Sequence, residues 1–420
     1  MAEQLGIVDY LFLYCMICIW VMLFVNIVLT VGGYVYYLKT LKMNLDDPIE
    51  HYPSVSILIP AHNEEKVIEQ TVTALIALDY PQDKLEIIVI NDNSSDKTGE
   101  ILAKVQRKHP GFNLTVITTD KVTGGKGKSN ALNIGIQSSK GELIAVYDAD
   151  NTPERTALKY LVHTLARDAS LGAVIGKFRT RNKNKNLLTK FINIETLGFQ
   201  WMVQAGRWQM FNLCTIPGTN FIVRRSIIDE MGGWDTKAIA EDTEISFRIY
   251  RLGYRIRYMP LSVTWEQEPE SIPVWIRQRS RWVKGNVYVL VKNFKLLFSR
   301  DSKHIRFDLL YFSSVYFLFL SSAILSDAIF ILGICNLIEY KVAGNTALLW
   351  VMAYLVFVLE MAIALSMEKG ESNPRNILLV GLMYFTYCQL WLLVALKGVW
   401  QYARDSILGL EVKWYKTERF

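Results

Sequence analysis

An α/β domain set between membrane-crossing helices is the fold class that this sequence predicts. Three observations predict it. Apolar runs cluster at the two ends of the 420-residue chain, and charge gathers in the middle. In that middle part, short β-branched runs alternate with segments of helical period, which argues for a mostly parallel sheet with helices on both faces. The run from Leu143 to Val146 then leads straight into Asp148-Ala149-Asp150. A buried strand ending in two spaced acids puts hard oxygen ligands at the carboxyl edge of a sheet, where open α/β sheets bind ligands.

Composition narrows the class further. A formal net charge of +6 is modest and spread out, and suits the cytoplasmic face of an anionic membrane. No basic stripe interleaved with aromatics is present, so nucleic acid is not an expected partner. Of the five cysteines, Cys15, Cys18, Cys335 and Cys388 lie in apolar runs and read as small hydrophobes, so no disulfide framework is implied.

Taken in order, residues 5–38 are nearly free of charge after Asp9. That is too long for a signal-peptide core and suits one transmembrane helix within residues 1–42. Lys39 and Lys42 follow it and orient the next domain toward the cytoplasm. The soluble domain is expected over residues 53–270, with strands at Val55–Pro60, Leu85–Ile90, Leu114–Thr118 and Leu143–Val146. Helices are expected over Glu65–Leu78, Thr98–Lys108 and Lys128–Ser139. Residues 186–210 and 271–300 mix aromatic and polar or basic side chains at helical spacing, and read as helices lying at a membrane interface. Residues 307–398 contain three more apolar runs, near Leu309–Ile334, Thr346–Ser366 and Ile377–Leu396, each long enough to span. Ser321, Asp327 and Glu360 within them suit either a wet path or helix–helix hydrogen bonds. One plus three spans would put the tail, residues 399–420, outside, yet Lys397, Arg404, Lys413, Lys416 and Arg419 favour the inside. One run is then re-entrant or interfacial, or the first conceals a hairpin.

Six short segments carry the chemistry. Pro60-Ala61-His62-Asn63-Glu64 ends the first strand; Asn63 can cap a helix there. Asp92 follows the second strand. Gly124-Gly125-Lys126-Gly127-Lys128 combines close backbone approach with cations at a helix start, which suits an anion. Asp148-Ala149-Asp150 is the fourth segment, Glu241-Asp242 opens a helical stretch, and Gln278-Arg279-Ser280-Arg281-Trp282 lies on the basic, aromatic helix. No G-x-G-x-x-G follows the first strand and no P-loop sequence is present, which disfavours dinucleotide binding and P-loop chemistry.

As an ordered set these segments resemble the family 2 glycosyltransferases. More closely, they resemble the membrane-embedded processive branch that makes cellulose, hyaluronan, chitin and poly-N-acetylglucosamine. The resemblance covers residues 53–285 and implies a GT-A-type catalytic domain inserted in an α-helical transmembrane bundle with amphipathic interface helices. It gives Pro60, Asn63, Glu64, Asp92, Lys126, Lys128, Asp148, Gln278 and Arg281 to a nucleotide-sugar, with Asp92 on the uracil and Lys126 or Lys128 on the pyrophosphate. Asp148 and Asp150 match the D-x-D that holds Mg²⁺ or Mn²⁺. Glu241 and Asp242 match the T-E-D, with Asp242 as general base. The threonine of that motif is replaced by Ala240, so its hydroxyl is missing. Gly218, Thr219, Trp234, Trp265 and Trp282 are assigned to the acceptor sugar. The implied activity is inverting transfer from a UDP-sugar to a growing polysaccharide, which leaves through the helix bundle of a multi-pass protein in a bacterial cell membrane. The resemblance also implies accessory export or cell-wall proteins as partners. The sugar expected is glucose, giving a β-glucan. Poly-N-acetylglucosamine, or another hexosamine polymer, is the alternative, and single addition to a glycolipid is a third reading.

Overall fold

The computed structural model describes residues 5–44, 51–299, 305–339 and 346–409. The tail cations Lys413, Lys416 and Arg419 therefore lie outside the described residues.

Helix α1 (Ile7–Thr40) starts where the Gly6 N–H donates to Asp9 Oδ2 at 2.8 Å, and ends one residue after Lys39. At about 1.5 Å per residue its 34 residues exceed a bilayer's hydrocarbon core, so its last turns run beside the next domain. A Cβ on Gly33 would run into the Trp201 carbonyl, and one on Gly206 into the Leu29 carbonyl. Small residues here let two helices cross backbone to backbone.

The central domain contains β1 (Val55–Ala61), α2 (Ile68–Ile76), β2 (Leu85–Asn91), α3 (Thr98–Lys108), β3 (Leu114–Thr118), α4 (Lys128–Ser138) and β4 (Leu143–Val146). They are followed by β5 (Thr152–Pro153), α5 (Ala157–Ala166) and β6 (Leu171–Thr180). Next come α6 (Leu187–Gly198), a π-helical segment (Phe199–Ala205), α7 (Gly206–Phe211), β7 (Phe221–Arg224), α8 (Arg225–Met231), α9 (Glu241–Arg251) and β8 (Arg255–Glu266). The sheet order is β3-β2-β1-β4-β7-β6-β8-β5. Strands β1 to β4 are parallel, as alternation predicts, but β7 is antiparallel to both β4 and β6, and β5 to β8. The sheet is thus mixed rather than mostly parallel. Leu58, Ile88, Ile90, Ile144 and Val146 bury one face, and Ile57, Ile59, Ile87, Val89 and Ala145 the other. That alternation under two covered faces explains why the strands read as continuous apolar runs.

The segment over residues 186–210 is helical, as expected, and packs against its neighbours. Phe191, Ile192, Leu197, Trp201 and Ala205 are all buried, and so are Gln200, Gln204 and Arg207. Its apolar side packs in the same core as Tyr36 of α1, Tyr258 of β8 and the later residues Met361 and Tyr387, while Leu187, Met210 and Phe211 at its ends are exposed. Periodicity marks an apolar face but cannot say what covers it.

The carboxy-terminal half begins with α10 (Ile272–Asn293) and continues with α11 (Arg306–Ser313), a π-helical segment (Ser314–Phe319) and α12 (Leu320–Ile334). It closes with α13 (Thr346–Ser366), α14 (Pro374–Phe385) and α15 (Tyr387–Ile407). Among the described residues, Ile7–Thr40, Arg306–Ile334 and Leu348–Ser366 are long and apolar enough to cross a membrane. The last apolar run is not one straight span: α14 and α15 meet at Thr386 with a 43° bend. Glu368 and Glu371, between α13 and α14, are buried against the central domain. Arg179 donates to Glu368 at 2.7 Å and to Glu371 at 2.8 Å, Lys183 to Glu371 at 2.6 Å, and Trp201 Nε1 to Glu368 at 3.0 Å. Helix α15 then follows α10: Tyr387 accepts from Trp275 Nε1 at 3.0 Å and donates to Glu195 at 2.6 Å, and Lys284 pairs with Asp405 at 2.6 Å. Of the polar groups in the spans, Ser321 meets the Tyr14 hydroxyl at 2.7 Å, a helix–helix hydrogen bond.

Candidate active site

Parallel strands deliver their carboxyl ends to one edge, and the loops beyond β1 and β2 are laced together there. Asn63 adopts a φ of 54°, a conformation asparagine tolerates better than most residues. Its side-chain oxygen accepts from the Ser95 N–H at 2.7 Å, and its own N–H donates to Ser94 Oγ at 2.9 Å. It therefore clips two loops together and does not cap a helix. Pro60 is half-buried in β1, and Glu64 is buried, its N–H donating to Thr98 Oγ1 at 2.8 Å. Asp92 is buried at the end of β2. Its Oδ1 accepts from Thr119 Oγ1 at 2.9 Å and from the Gly125 N–H at 2.8 Å, and its carbonyl meets His62 Nδ1 at 2.6 Å. These bonds fix the Asp92 carboxylate against the glycine-rich loop. Lys126 is exposed on that loop.

Lys128, the first residue of α4, is the hub. Its Nζ donates to the Gly218 carbonyl at 2.7 Å, and lies 2.7 Å from Asp148 Oδ1 and 3.3 Å from Glu241 Oε1. Burial alone would lower the pKa of this ammonium; Asp148, Glu241 and Asp242 override that and hold it above its ordinary value. Asp242 is in turn pushed up to about 7, first by burial, then by Glu241, against the opposing pull of Lys128. A carboxylate so tuned can accept a proton near neutral pH. Gly218 sits at φ +92°, and a Cβ there would stand 3.0 Å from Asp242 Oδ2, so a glycine allows the close approach that shapes this corner. Asp242 Oδ1 accepts from the Thr243 N–H at 2.8 Å, which fixes the carboxylate's orientation at the start of α9.

The two acids after β4 are held by the backbone around them. The Asp148 N–H donates to Thr219 Oγ1 at 3.0 Å, and Thr219 Oγ1 donates to Asn151 Oδ1. The Thr219 hydroxyl is thereby spent on the turn that carries the acids. Asp150 is buried and its Oδ2 accepts from the Gln267 N–H at 3.4 Å. Among the described residues, no three His, Cys, Asp or Glu side chains are grouped to hold a cation. A pair of carboxylates still fits Mg²⁺ or Mn²⁺, which take one or two protein oxygens and complete their shell with substrate phosphate and water.

Helix α10 brings the remaining residues. Arg279 is buried, donates to Gln278 Oε1 at 2.8 Å, pairs with Glu195 at 3.2 Å, and stacks 3.9 Å from the Trp282 ring centroid. Trp282 is 39% exposed, which leaves indole surface for a ligand beside that stack. Arg281 is half-buried on the same helix. Trp265, at the end of β8, donates to Glu154 at 3.2 Å and lies under Arg179. Trp234 is 3% exposed, and its backbone exchanges two hydrogen bonds with the Asn133 amide, at 2.8 and 2.9 Å. It supports α4 from behind and offers no free ring face.

The structure therefore unites Lys128, Asp148, Gly218, Glu241 and Asp242 directly, and holds Asp92 at the neighbouring strand end. Sequence reasoning missed Thr119 and Asn151, which hold Asp92 and the acid turn. It also missed Thr243, whose Oγ1 donates to Asn286 at 2.9 Å. Asn151 follows the two acids immediately and was findable; Thr119 and Asn286 carry no local signal.

Residues 53–285 match the family described as "Glycosyltransferase like family 2". The chain is 49% identical over 413 residues to the probable glycosyltransferase YdaM of Bacillus subtilis (strain 168), covering 98% of each chain. It is 33% identical over 276 residues to the poly-β-1,6-N-acetyl-D-glucosamine synthase of Staphylococcus aureus (strain COL), covering 64% of this chain and 65% of that one. In fold it is similar to a mannosyltransferase from Pyrobaculum calidifontis solved with GDP-Man and Mn²⁺, with a TM-score of 0.60 at 22% identity, covering 90% of this chain and 99% of that one.

Proposed function

We propose that this chain, which belongs to the family 2 glycosyltransferases, is an inverting synthase that adds N-acetylglucosamine from UDP-N-acetylglucosamine to a β-linked polymer at the cytoplasmic face of a membrane. The observation that carries the transferase chemistry is the corner in which Lys128 pairs with Asp148 and Glu241 beside Asp242, whose carboxyl is pushed up to about 7 by burial and by Glu241. The likeness to a poly-N-acetylglucosamine synthase favours the hexosamine donor over the glucose expected from motifs alone.

Asp242 takes the proton of an acceptor hydroxyl as that oxygen bonds to the anomeric carbon. The bond from that carbon to the diphosphate oxygen breaks, and UDP leaves with the electron pair. Attack opposite the leaving group turns an α-linked donor into a β-linked product. Asp92 accepts from the imide N–H of uracil, with Pro60, Asn63 and Glu64 shaping the same pocket. Lys126, Lys128 and Arg281 face the diphosphate, and the planar Arg281 guanidinium suits two phosphate oxygens. Gln278 helps to close the site over the donor. Trp282 and Trp265 receive the acceptor sugar, and an indole face suits the apolar face of a pyranose. Asp148 and Asp150 would hold Mg²⁺ or Mn²⁺, which supplies positive charge to the departing diphosphate.

The same contacts support one membrane arrangement. Helix α1, the α11–α12 pair and α13 cross, while α14 and α15 return to the catalytic side. The burial of Glu371, the Tyr387–Glu195 bond and the Lys284–Asp405 pair support this. Three crossings put Lys397 and Arg404 of α15 inside, in keeping with the positive-inside rule. Successive additions at the membrane surface would feed the polymer into the helix bundle.

Membranes containing the chain, given radiolabelled UDP-N-acetylglucosamine or UDP-glucose with Mg²⁺ or Mn²⁺, test this reading. The expected product is a polymer from the first donor, degraded by a β-hexosaminidase. Polymer from UDP-glucose alone would restore the glucan reading, and a single labelled glycolipid would replace processive synthesis.

A further inference from the structure

Two adjoining cavities lie outside the catalytic corner. The smaller, about 190 Å³, is lined by Lys183, Lys190, Asn193, Glu371, Arg375 and Asn376, between α6 and the loop joining α13 to α14. The larger, about 600 Å³, is an open groove between α13 and α14 lined by Tyr354, Val358, Ile377, Leu378 and Gly381. They share Asn373, which starts α14 by accepting from the Asn376 N–H at 3.0 Å. One space is polar and the other apolar, and they meet at the foot of two apolar helices.

The charge of the small cavity has one sign in excess. Three cations line it against the single carboxylate of Glu371. That carboxylate is already occupied: Oε1 accepts from Arg179 and Lys183, and Oε2 from the Asn193 and Asn376 amides at 3.2 and 3.1 Å. Lys190 and Arg375 are left to face an anion. Asn193 is 4% exposed, and with its nitrogen given to Glu371 its Oδ1 is buried without a hydrogen-bond partner. An orphaned buried acceptor calls for a donor such as a hydroxyl. At about 190 Å³ the cavity is smaller than the roughly 300 Å³ where pockets for whole small-molecule ligands begin, so a nucleotide does not fit.

We propose that the paired cavities bind one anionic glycerophospholipid with a hydroxylated headgroup. Lys190 and Arg375 take the phosphodiester, Asn193 Oδ1 accepts from a headgroup hydroxyl, and the acyl chains lie in the groove beside Val358, Ile377 and Leu378. Helix α13 is apolar enough to cross a membrane, and α14 leaves Leu378, Leu382 and Phe385 exposed beside it. Such a lipid would stabilise the α13–α14 loop on the catalytic domain through Glu371. The proposal goes beyond the transferase reading and stands or falls separately from it.

The test uses the full chain in mild detergent and native mass spectrometry. Dioleoyl phosphatidylglycerol and dioleoyl phosphatidylcholine are offered in turn, with glycerol phosphate as a chain-free competitor. The expected result is one phosphatidylglycerol retained per chain, at least tenfold above phosphatidylcholine and not displaced by equimolar glycerol phosphate. The Lys190→Gln/Arg375→Gln double variant should lose that preference, and Ile377→Trp, which fills the groove, should lose both lipids. A cooperative melting curve confirms that each variant is folded. Equal retention of the two lipids by the wild type, or an unchanged preference in the folded double variant, would overturn the proposal. Full displacement by glycerol phosphate would overturn it too, by assigning the site to a free phosphate.

Discussion

Lys128 Nζ lies 2.7 Å from Asp148 Oδ1, and through this contact the acid turn after β4 is tied to the start of α9, because the same ammonium is 3.3 Å from Glu241. The acid turn after β4 and the start of α9 are therefore one electrostatic unit. A change in either moves the other.

The pH dependence of transfer should reflect that unit. Asp242 must be ionised to accept a proton, and its pKa is held up to about 7, so turnover should rise with pH through neutrality. The same shift has a stability consequence. The folded pKa lies above the ordinary 3.8, so the carboxyl favours folding when protonated, and that contribution is lost as pH rises from about 4 to about 7. Asp242→Asn should therefore melt higher than wild type at pH 8, with little difference at pH 4. Circular dichroism melts at the two pH values check this.

Removing Lys128 should act on Asp242 at a distance. The ammonium pulls the Asp242 pKa down, so Lys128→Gln should move the acidic limb of the rate profile to higher pH. Turnover at pH 7 should fall about 100-fold or more, within the range for losing one electrostatic contact to a transition state. An unshifted profile in a folded variant would separate Lys128 from the base.

Much of this corner was legible in the sequence, because strand ends announce themselves. An apolar run stopped by acids gave Asp92 and Asp148 their positions, and β1, β2, β3 and β4 lie within a residue or so of expectation. The rest was hidden for identifiable reasons. The helix over residues 186–210 has the right apolar period, but period does not distinguish lipid from protein as the covering partner. The break at Thr386 has no proline or glycine to signal it. Glu371 meets Arg179 across 192 residues, and such pairing has no local trace.

That long-range pairing gives a stability prediction. Glu371→Ala would leave Arg179 paired with Glu368 alone and Lys183 without its carboxylate, and because Glu368 still compensates Arg179 the cost should fall below the roughly 3–5 kcal/mol of a buried pair broken from one side. The melting temperature should fall, and α14 should become accessible to a protease, which limited proteolysis would detect.

The crossing of α1 with the catalytic domain is equally specific. Gly33→Val puts side-chain atoms against the Trp201 carbonyl, and overpacking of this kind costs roughly 1–3 kcal/mol or more. Val31→Ala, at an exposed position on the same helix, should be silent. Comparing the folded yield of the two variants in membranes checks the assignment.

The central claim is that Asp242 is the base for transfer from UDP-N-acetylglucosamine. UDP release from that donor, measured on membranes of wild type and Asp242→Asn at matched protein levels, tests it most directly. The account predicts steady release by wild type that rises with pH through neutrality, and loss of at least 100-fold in the variant. Release by Asp242→Asn equal to wild type, with the same pH profile, would contradict it.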